Sequence, residues 1–199
     1  MGNQWMGFAG LTRILFATAT LVAHSTSSLS QTVINVQDTF TPSGWMGDGE
    51  HGDKYVQFSE VEKIEPHTPP TSIGITYTFG PNKWAGICWQ NEADNWGDKP
   101  GVNYAKKNIT KLSFWAKGGA GSEVVEFRTG GIDNRQKRYR DSYVATTGRV
   151  TLGTAWKEFV VDLSKKDLSS VIAGFCWVAN KNTNAGATIR FQIDDIKME

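Results

Sequence analysis

An all-β fold, a jelly-roll β-sandwich of two antiparallel sheets, is what three features of the sequence predict. Apolar and polar residues alternate over short stretches, Gly-, Pro- and Asn-rich turn signals recur between them, and no helical period longer than a turn or two is convincing after residue 30. Composition agrees: 12% aromatic residues, 21 glycines and 21% charged residues in 199 suit one Gly-rich globular domain and leave no room for a second.

Taken in order, residues 1–30 read as a secretory signal peptide. Arg13 is their sole charge, the apolar run 14–23 follows it, and ten residues are too few to span a bilayer. Cleavage is placed after Ser30, with an alternative near Ala23. The mature chain, 31–199, then loses Arg13, and its formal charge falls from +1 to zero. A neutral domain is not built for long-range capture of nucleic acid or of a membrane surface, and the basic run 135–140 reads as a solvated loop. A secreted or periplasmic monomer is expected.

Residues 32–40 read as a first strand, and 42–53 as a Gly-rich loop carrying Trp45. A short strand over 54–58 is separated by the break Glu65-Pro66-His67-Thr68-Pro69-Pro70 from 72–79, where Ile73, Ile75, Tyr77 and Phe79 alternate with smaller polar residues. The next stretch, 84–97, holds three of the eight tryptophans and is the most informative. Alternation places Trp84, Gly86, Cys88 and Gln90 on one face and Ala85, Ile87 and Trp89 on the other, so one face can be buried and the other can bind. Further strands are read over 111–117, 124–129, 143–145, 149–152, 156–163, 171–179 and 188–198, with an irregular link at 162–170 and a polar loop at 180–187. Leu112, Phe114, Val125, Phe127, Ile193 and Ile196 are the expected core.

Flat rings beside amides are what a sugar requires, because a pyranose offers C–H groups for stacking and a rim of hydroxyls for hydrogen bonding. Trp45, Trp89, Trp96, Trp115 and Trp177 are the candidate stacking rings, and Asp48, Gln90, Asn95, Glu126 and Arg128 the candidate polar contacts. Any single ring can instead be core packing. Cys88 and Cys176 sit in near-repeats, Ala85-Gly86-Ile87-Cys88-Trp89 and Ala173-Gly174-Phe175-Cys176-Trp177. They either form one disulfide or remain two buried thiols.

The order of Phe40-Thr41-Pro42-Ser43-Gly44-Trp45, Trp84-Ala85-Gly86-Ile87-Cys88-Trp89-Gln90, Asn95-Trp96-Gly97, Leu112-Ser113-Phe114-Trp115-Ala116-Lys117-Gly118, Trp156-Lys157-Glu158-Phe159 and Phe191-Gln192-Ile193-Asp194-Asp195-Ile196 resembles a secreted bacterial jelly-roll domain of carbohydrate-binding-module type, a galactose-binding-like β-sandwich. The resemblance covers nearly all of 36–199. It implies a concave sheet that cradles a glycan chain and a structural calcium ion joining the first and last strands, with Asp38 and Asp195 at the matching positions and Asp194 and Glu60 in reserve. The other reading of Asp194 and Asp195 is a strand's exposed end.

Other chemistry finds little support. Glu126 has no evident carboxylate partner for glycoside hydrolysis, His51 and His67 lie apart from other zinc ligands, and no serine has a nucleophile-elbow setting. Non-catalytic binding of polysaccharide or oligosaccharide is therefore the leading reading. A small glycoside hydrolase or lyase and an extracellular structural domain are the alternatives.

Overall fold

Two antiparallel sheets stacked face to face bury the apolar side of each alternating strand. In this computed structural model, which describes residues 1–2 and 32–199, eleven strands are arranged so that β3 (Val56–Glu62), β4 (Ser72–Thr78), β11 (Thr188–Met198), β6 (Lys111–Gly118) and β9 (Lys157–Asp162) lie side by side in one sheet. The short β1 (Ile34–Asn35) also pairs with β11. The second sheet has the order β2 (Thr41–Gly47), β5 (Trp84–Gln90), β10 (Ala173–Asn180), β7 (Val124–Gly130), β8 (Val144–Thr151). The expected jelly-roll sandwich is thus the observed architecture. The expected signal peptide lies outside the described residues, among which no helix is long and apolar enough to cross a membrane.

The core is aromatic. Phe114 of the first sheet packs against Phe127 and Phe175 of the second at centroid distances of 4.7 and 5.1 Å, and Trp177 meets Phe191 edge-on at 5.2 Å. Leu112, Phe114, Val125, Phe127, Ile193 and Ile196 are all buried as the alternation implied. Each large ring withdrawn from water contributes about 1.5–3 kcal/mol, which makes this layer the main source of stability.

Three segments differ from the sequence expectation. Residues 36–39 form one helical turn, α1 (Val36–Thr39), because Thr39 Oγ1 donates to the Asn35 carbonyl at 2.8 Å and Asn35 Nδ2 to Asp38 Oδ2 at 3.1 Å, local bonds that compete with a ladder. The expected Gly-rich loop over 42–53 is instead the edge strand β2 followed by a 3-10 helical segment over Asp48–Lys54; β2 tolerates Pro42 because the residue lies at a bulge on an edge. The two short strands around Thr146-Thr147-Gly148 are one strand, β8, with a bulge in its pairing to β7.

Cys88 and Cys176 are directly opposite in the β5–β10 register, with Cα atoms 4.1 Å apart, and are joined by a disulfide. The loop between β7 and β8 is tied to β10 by Asp141. Its Oδ1 accepts from the backbone N–H of Ile172 at 2.5 Å and of Ala173 at 3.3 Å, and its Oδ2 from Ile132 at 2.8 Å. Burial outweighs these three donors and pushes the Asp141 carboxyl up to about 6.

Removing the disulfide by a Cys88→Ala/Cys176→Ala double substitution should lower the unfolding free energy by about 4–5 kcal/mol, since the bond closes a long loop in the unfolded chain. A urea titration of oxidised, reduced and double-variant protein checks this, and coincident curves would refute it. Because the folded carboxyl of Asp141 holds its proton more tightly than the unfolded one, its stabilising contribution is complete below the ordinary value of 3.8 and is lost as pH rises through about 6. Wild type should lose up to about 3 kcal/mol more stability between pH 4 and pH 7 than Asp141→Asn, measured as the difference between their denaturation curves. Parallel pH profiles would show that Asp141 does not titrate in that window.

Candidate functional site

Burying Trp89 and Trp177 obliges their neighbours to face outward. Both indoles are fully enclosed between the sheets, Trp89 edge-on to Phe58 at 5.7 Å and to Phe175 at 5.4 Å, so neither can stack on a ligand. These two expected platforms are core residues. On the opposite side of the same strands, residues paired across an antiparallel ladder share one face. The registers give two outward rows, Gly44–Cys88–Cys176–Arg128–Thr146 and Met46–Gly86–Val178–Glu126–Arg149.

This outer face of the second sheet is a shallow groove with an apolar floor. Met46 and Val178 close over Gly86, where a Cβ would stand only 2.9 Å from the Met46 methyl and 3.1 Å from a Val178 methyl. The disulfide continues the floor. At one end Trp84, 39% exposed, lies against Gly47, whose missing side chain leaves room for the indole. A Cβ at Gly47 would stand 2.9 Å from two ring atoms, and the backbone there, at φ +62°, also favours glycine. At the other end a recess of about 330 Å³ is lined by Met46, Cys88, Trp96, Arg128, Ile132 and Cys176, with Asp133 and Asn134 on its rim. Trp96 is half-buried there, packed on the cluster of Cys88, Ile132, Ile172, Ala173 and Cys176.

The expected polar residues divide into two groups. Glu126 and Arg128 stand on the groove: Arg128 Nη2 donates to Glu126 Oε1 at 2.7 Å, and Thr146 Oγ1 donates to the same oxygen at 3.0 Å. Gln90, Asn95 and Asp48 are buried and used internally, so they are not ligand contacts. Gln90 Oε1 accepts from Ser43 Oγ at 2.7 Å, and its Nε2 donates to the Asn95 carbonyl at 3.0 Å. Asn95 Oδ1 accepts the N–H groups of Gly97 and Lys99 at 3.1 and 3.0 Å, while its Nδ2 donates to Asn91 and Lys99. Together they knot the loop that presents Trp96. Asp48 accepts from the Tyr77 hydroxyl at 2.6 Å and from the N–H groups of Gly80 and Asn82 at 2.9 and 2.8 Å, which pins the β4–β5 connection. Burial and the adjacent Asp48 carboxylate together hold the Tyr77 hydroxyl far above its ordinary range.

The remaining tryptophans lie elsewhere. Trp45 turns inward, half-buried and edge-on to Phe58 at 5.9 Å. Trp115 is on the outer face of the other sheet, its ring stacked on His67 at 3.9 Å. The structure therefore brings Trp96, Glu126 and Arg128 together and separates them from Trp45 and Trp115. Trp84, Met46, Val178 and Arg149 belong to the groove and were not among the expected site residues, although alternation already placed Trp84 opposite Trp89.

Asp38 and Asp195 line one recess of about 410 Å³ between α1 and β11, with Asn35, Gln37, Thr68, Thr71 and Asp194. Asp195 lies at a bulge inside β11 rather than at a strand end, with φ +51°. Burial works to raise its carboxyl, but hydrogen bonds from Thr68 Oγ1 (2.6 Å) and His67 Nδ1 (2.9 Å), and the Lys197 ammonium at 3.3 Å, hold it below the usual carboxylate range. Among the described residues no three His, Cys, Asp or Glu side chains converge as a metal cage.

The apolar floor, flanking indoles and hydrogen-bonding wall suit a flat, polyhydroxylated chain. No protein-family model matches the sequence, and no curated protein matches it. Among solved structures the chain is similar in fold to the family 11 carbohydrate-binding module of a cellulosomal cellulase of Clostridium thermocellum, at 13% identity and a TM-score of 0.54 over 86% of this chain and 95% of that one. A family 30 carbohydrate-binding module matches at 17% identity and a TM-score of 0.53 over 84% and 87% of the two chains. The family 30 module of another cellulosomal cellulase of Clostridium thermocellum matches at 15% identity and a TM-score of 0.52 over 84% and 97%. The chain has the jelly-roll β-sandwich fold of these modules.

Proposed function

We propose that this chain is a non-catalytic binder of polysaccharide or oligosaccharide, and that the ligand lies along the outer face of the second sheet. The observation that carries the reading is the register that puts Trp84, Glu126 and Arg128 on one outward face, at whose far end the recess holds Trp96. Cys88, in the cluster on which Trp96 packs, lies four residue steps along extended β5 from Trp84, so the two indoles stand about 13 Å apart along the strand. That span fits several sugar units rather than one. Modules with the same fold are named for carbohydrate binding, which supports the reading. Glu126 is the one carboxylate on the two outward rows and is already bonded to Arg128 and Thr146, an arrangement suited to hydrogen bonding a hydroxyl and not to a hydrolytic carboxylate pair. Export to an extracellular or periplasmic space fits the disulfide, which persists in oxidising compartments.

The calcium ion implied by the resemblance is proposed at the Asp38–Asp195 recess. Apart from the Lys197 ammonium, the polar side chains there offer oxygen donors, which suits a hard cation, and Asp38 and Asp195 would supply its carboxylates beside the amide and hydroxyl oxygens of Asn35, Gln37 and Thr71. Bound there, the ion would tie α1 to the final strand.

Trp96→Ala and Trp84→Ala should each weaken binding to the retained glycan by about 1–3 kcal/mol, on the scale of aromatic stacking, while Trp115→Ala should leave it unchanged. Affinity gels containing mixed-linkage β-glucan, xylan or mannan check this, and release of reducing ends by wild type but not by Glu126→Gln would replace binding with hydrolysis. A chelator should lower the melting temperature of wild type, and Asp38→Asn/Asp195→Asn should abolish the response to added calcium. A melting curve indifferent to calcium and chelator would remove the ion from the proposal.

A further inference from the structure

We infer, resting on the glycan-binding reading above, that the groove selects acidic polysaccharides, whose chains carry carboxylate or sulfate groups. The carboxylates and guanidiniums at the groove are unequally matched. Glu126 on the outward rows is paired with Arg128 at 2.7 Å, and Asp133 on the rim of the recess lies 3.7 Å from Arg140. The neighbouring Asp98 is paired with Lys137 at 2.6 Å. Every carboxylate on the rows or lining the recess thus has a cation beside it.

Beyond Arg128 and Arg140, three guanidiniums there have no carboxylate in return among the described residues. Arg149 pairs in register with Glu126, shares its face, is exposed, and enters no ion pair among the described residues. Arg138 lies over the ring of Tyr139 at 5.2 Å, and Tyr139 packs on the same cluster as Trp96, which sets Arg138 beside the indole end of the groove. Arg135, in the same loop, is exposed and likewise without an ion pair among the described residues. Arg128 uses Nη2 on Glu126, while its Nε has no partner. The domain beyond residue 30 has a formal charge of zero, so this excess is local and not a consequence of a basic protein. Guanidinium groups present planar pairs of donors that match carboxylate and sulfate oxygens two at a time. A neutral glycan would leave Arg149 and Arg138 with water alone, whereas an acidic chain stacked between Trp84 and Trp96 would meet them at its edge.

Isothermal titration of the full-length protein with oligosaccharides of polygalacturonate, of a sulfated galactan, of mixed-linkage β-glucan and of xylan, with polyglutamate as a non-sugar polyanion, tests the inference. One acidic oligosaccharide should bind at least about tenfold more tightly than either neutral one, weaken as salt is raised, and identify by its rank whether carboxylate or sulfate is preferred. Arg149→Ala/Arg138→Ala should cut that affinity about tenfold at an unchanged melting temperature, and Arg149→Lys/Arg138→Lys should recover only part of it. Equal or tighter binding of the neutral oligosaccharides would overturn acid selection while leaving glycan binding intact. Equal binding of polyglutamate would overturn it as simple ion exchange. Binding of none of the saccharides would refute the glycan reading itself.

Discussion

Two indoles that must both be dry organise this domain. Trp89 on β5 and Trp177 on β10 are opposed across the sandwich to Phe58 and Phe191, and no arrangement of these strands can seal them without turning positions 86, 88, 176 and 178 outward. The floor of the groove is the reverse side of the core. A one-residue slip in β5 would expose Trp89 and bury Trp84, so the apolar penalty that protects the core also fixes which side chains a ligand can meet.

Support for the groove comes from side chains that never reach it. Gln90 and Asn95 bond to each other's neighbourhood and to the backbone of residues 97–99, which holds Trp96 against the disulfide without a regular element beneath it. Asp141 does the same for the loop that supplies Ile132, drawing three backbone donors into one carboxylate. Gln90 and Asn95 are buried and Asp141 half-buried, and their partners are mostly backbone, so their energetic role is to avoid unsatisfied donors while giving each loop a single conformation.

Much of the fold was legible because strand alternation is a local signal. The core positions Phe114, Phe127 and Ile193 follow directly from period two, and so does the placing of Trp84 and Trp89 on opposite faces of β5. The site was read less well, for an identifiable reason. Aromatic content marks residues that want partners, but period alone does not tell the buried side of a strand from the open one when both carry tryptophan, so Trp89 reads as a ligand platform as readily as a core residue. Asp48, Gln90 and Asn95 misled in the opposite sense. Polar side chains near tryptophans suggest recognition, whereas their bonds go to Tyr77, to Ser43 and to loop backbone, partners that become neighbours only once the sheets are stacked. Arg149 gave no sign in the sequence because its place on the groove depends on the bulge that shifts the β7–β8 register.

The sulfur bridge between Cys88 and Cys176 occupies the surface that a bound chain would cover, at the centre of an outward row and not in the hydrophobic interior proper. Its formation therefore completes the floor as well as cross-linking two strands. While the chain remains among reducing thiols, that floor carries two separate sulfhydryls, and the finished contact surface comes into being only where oxidants are present.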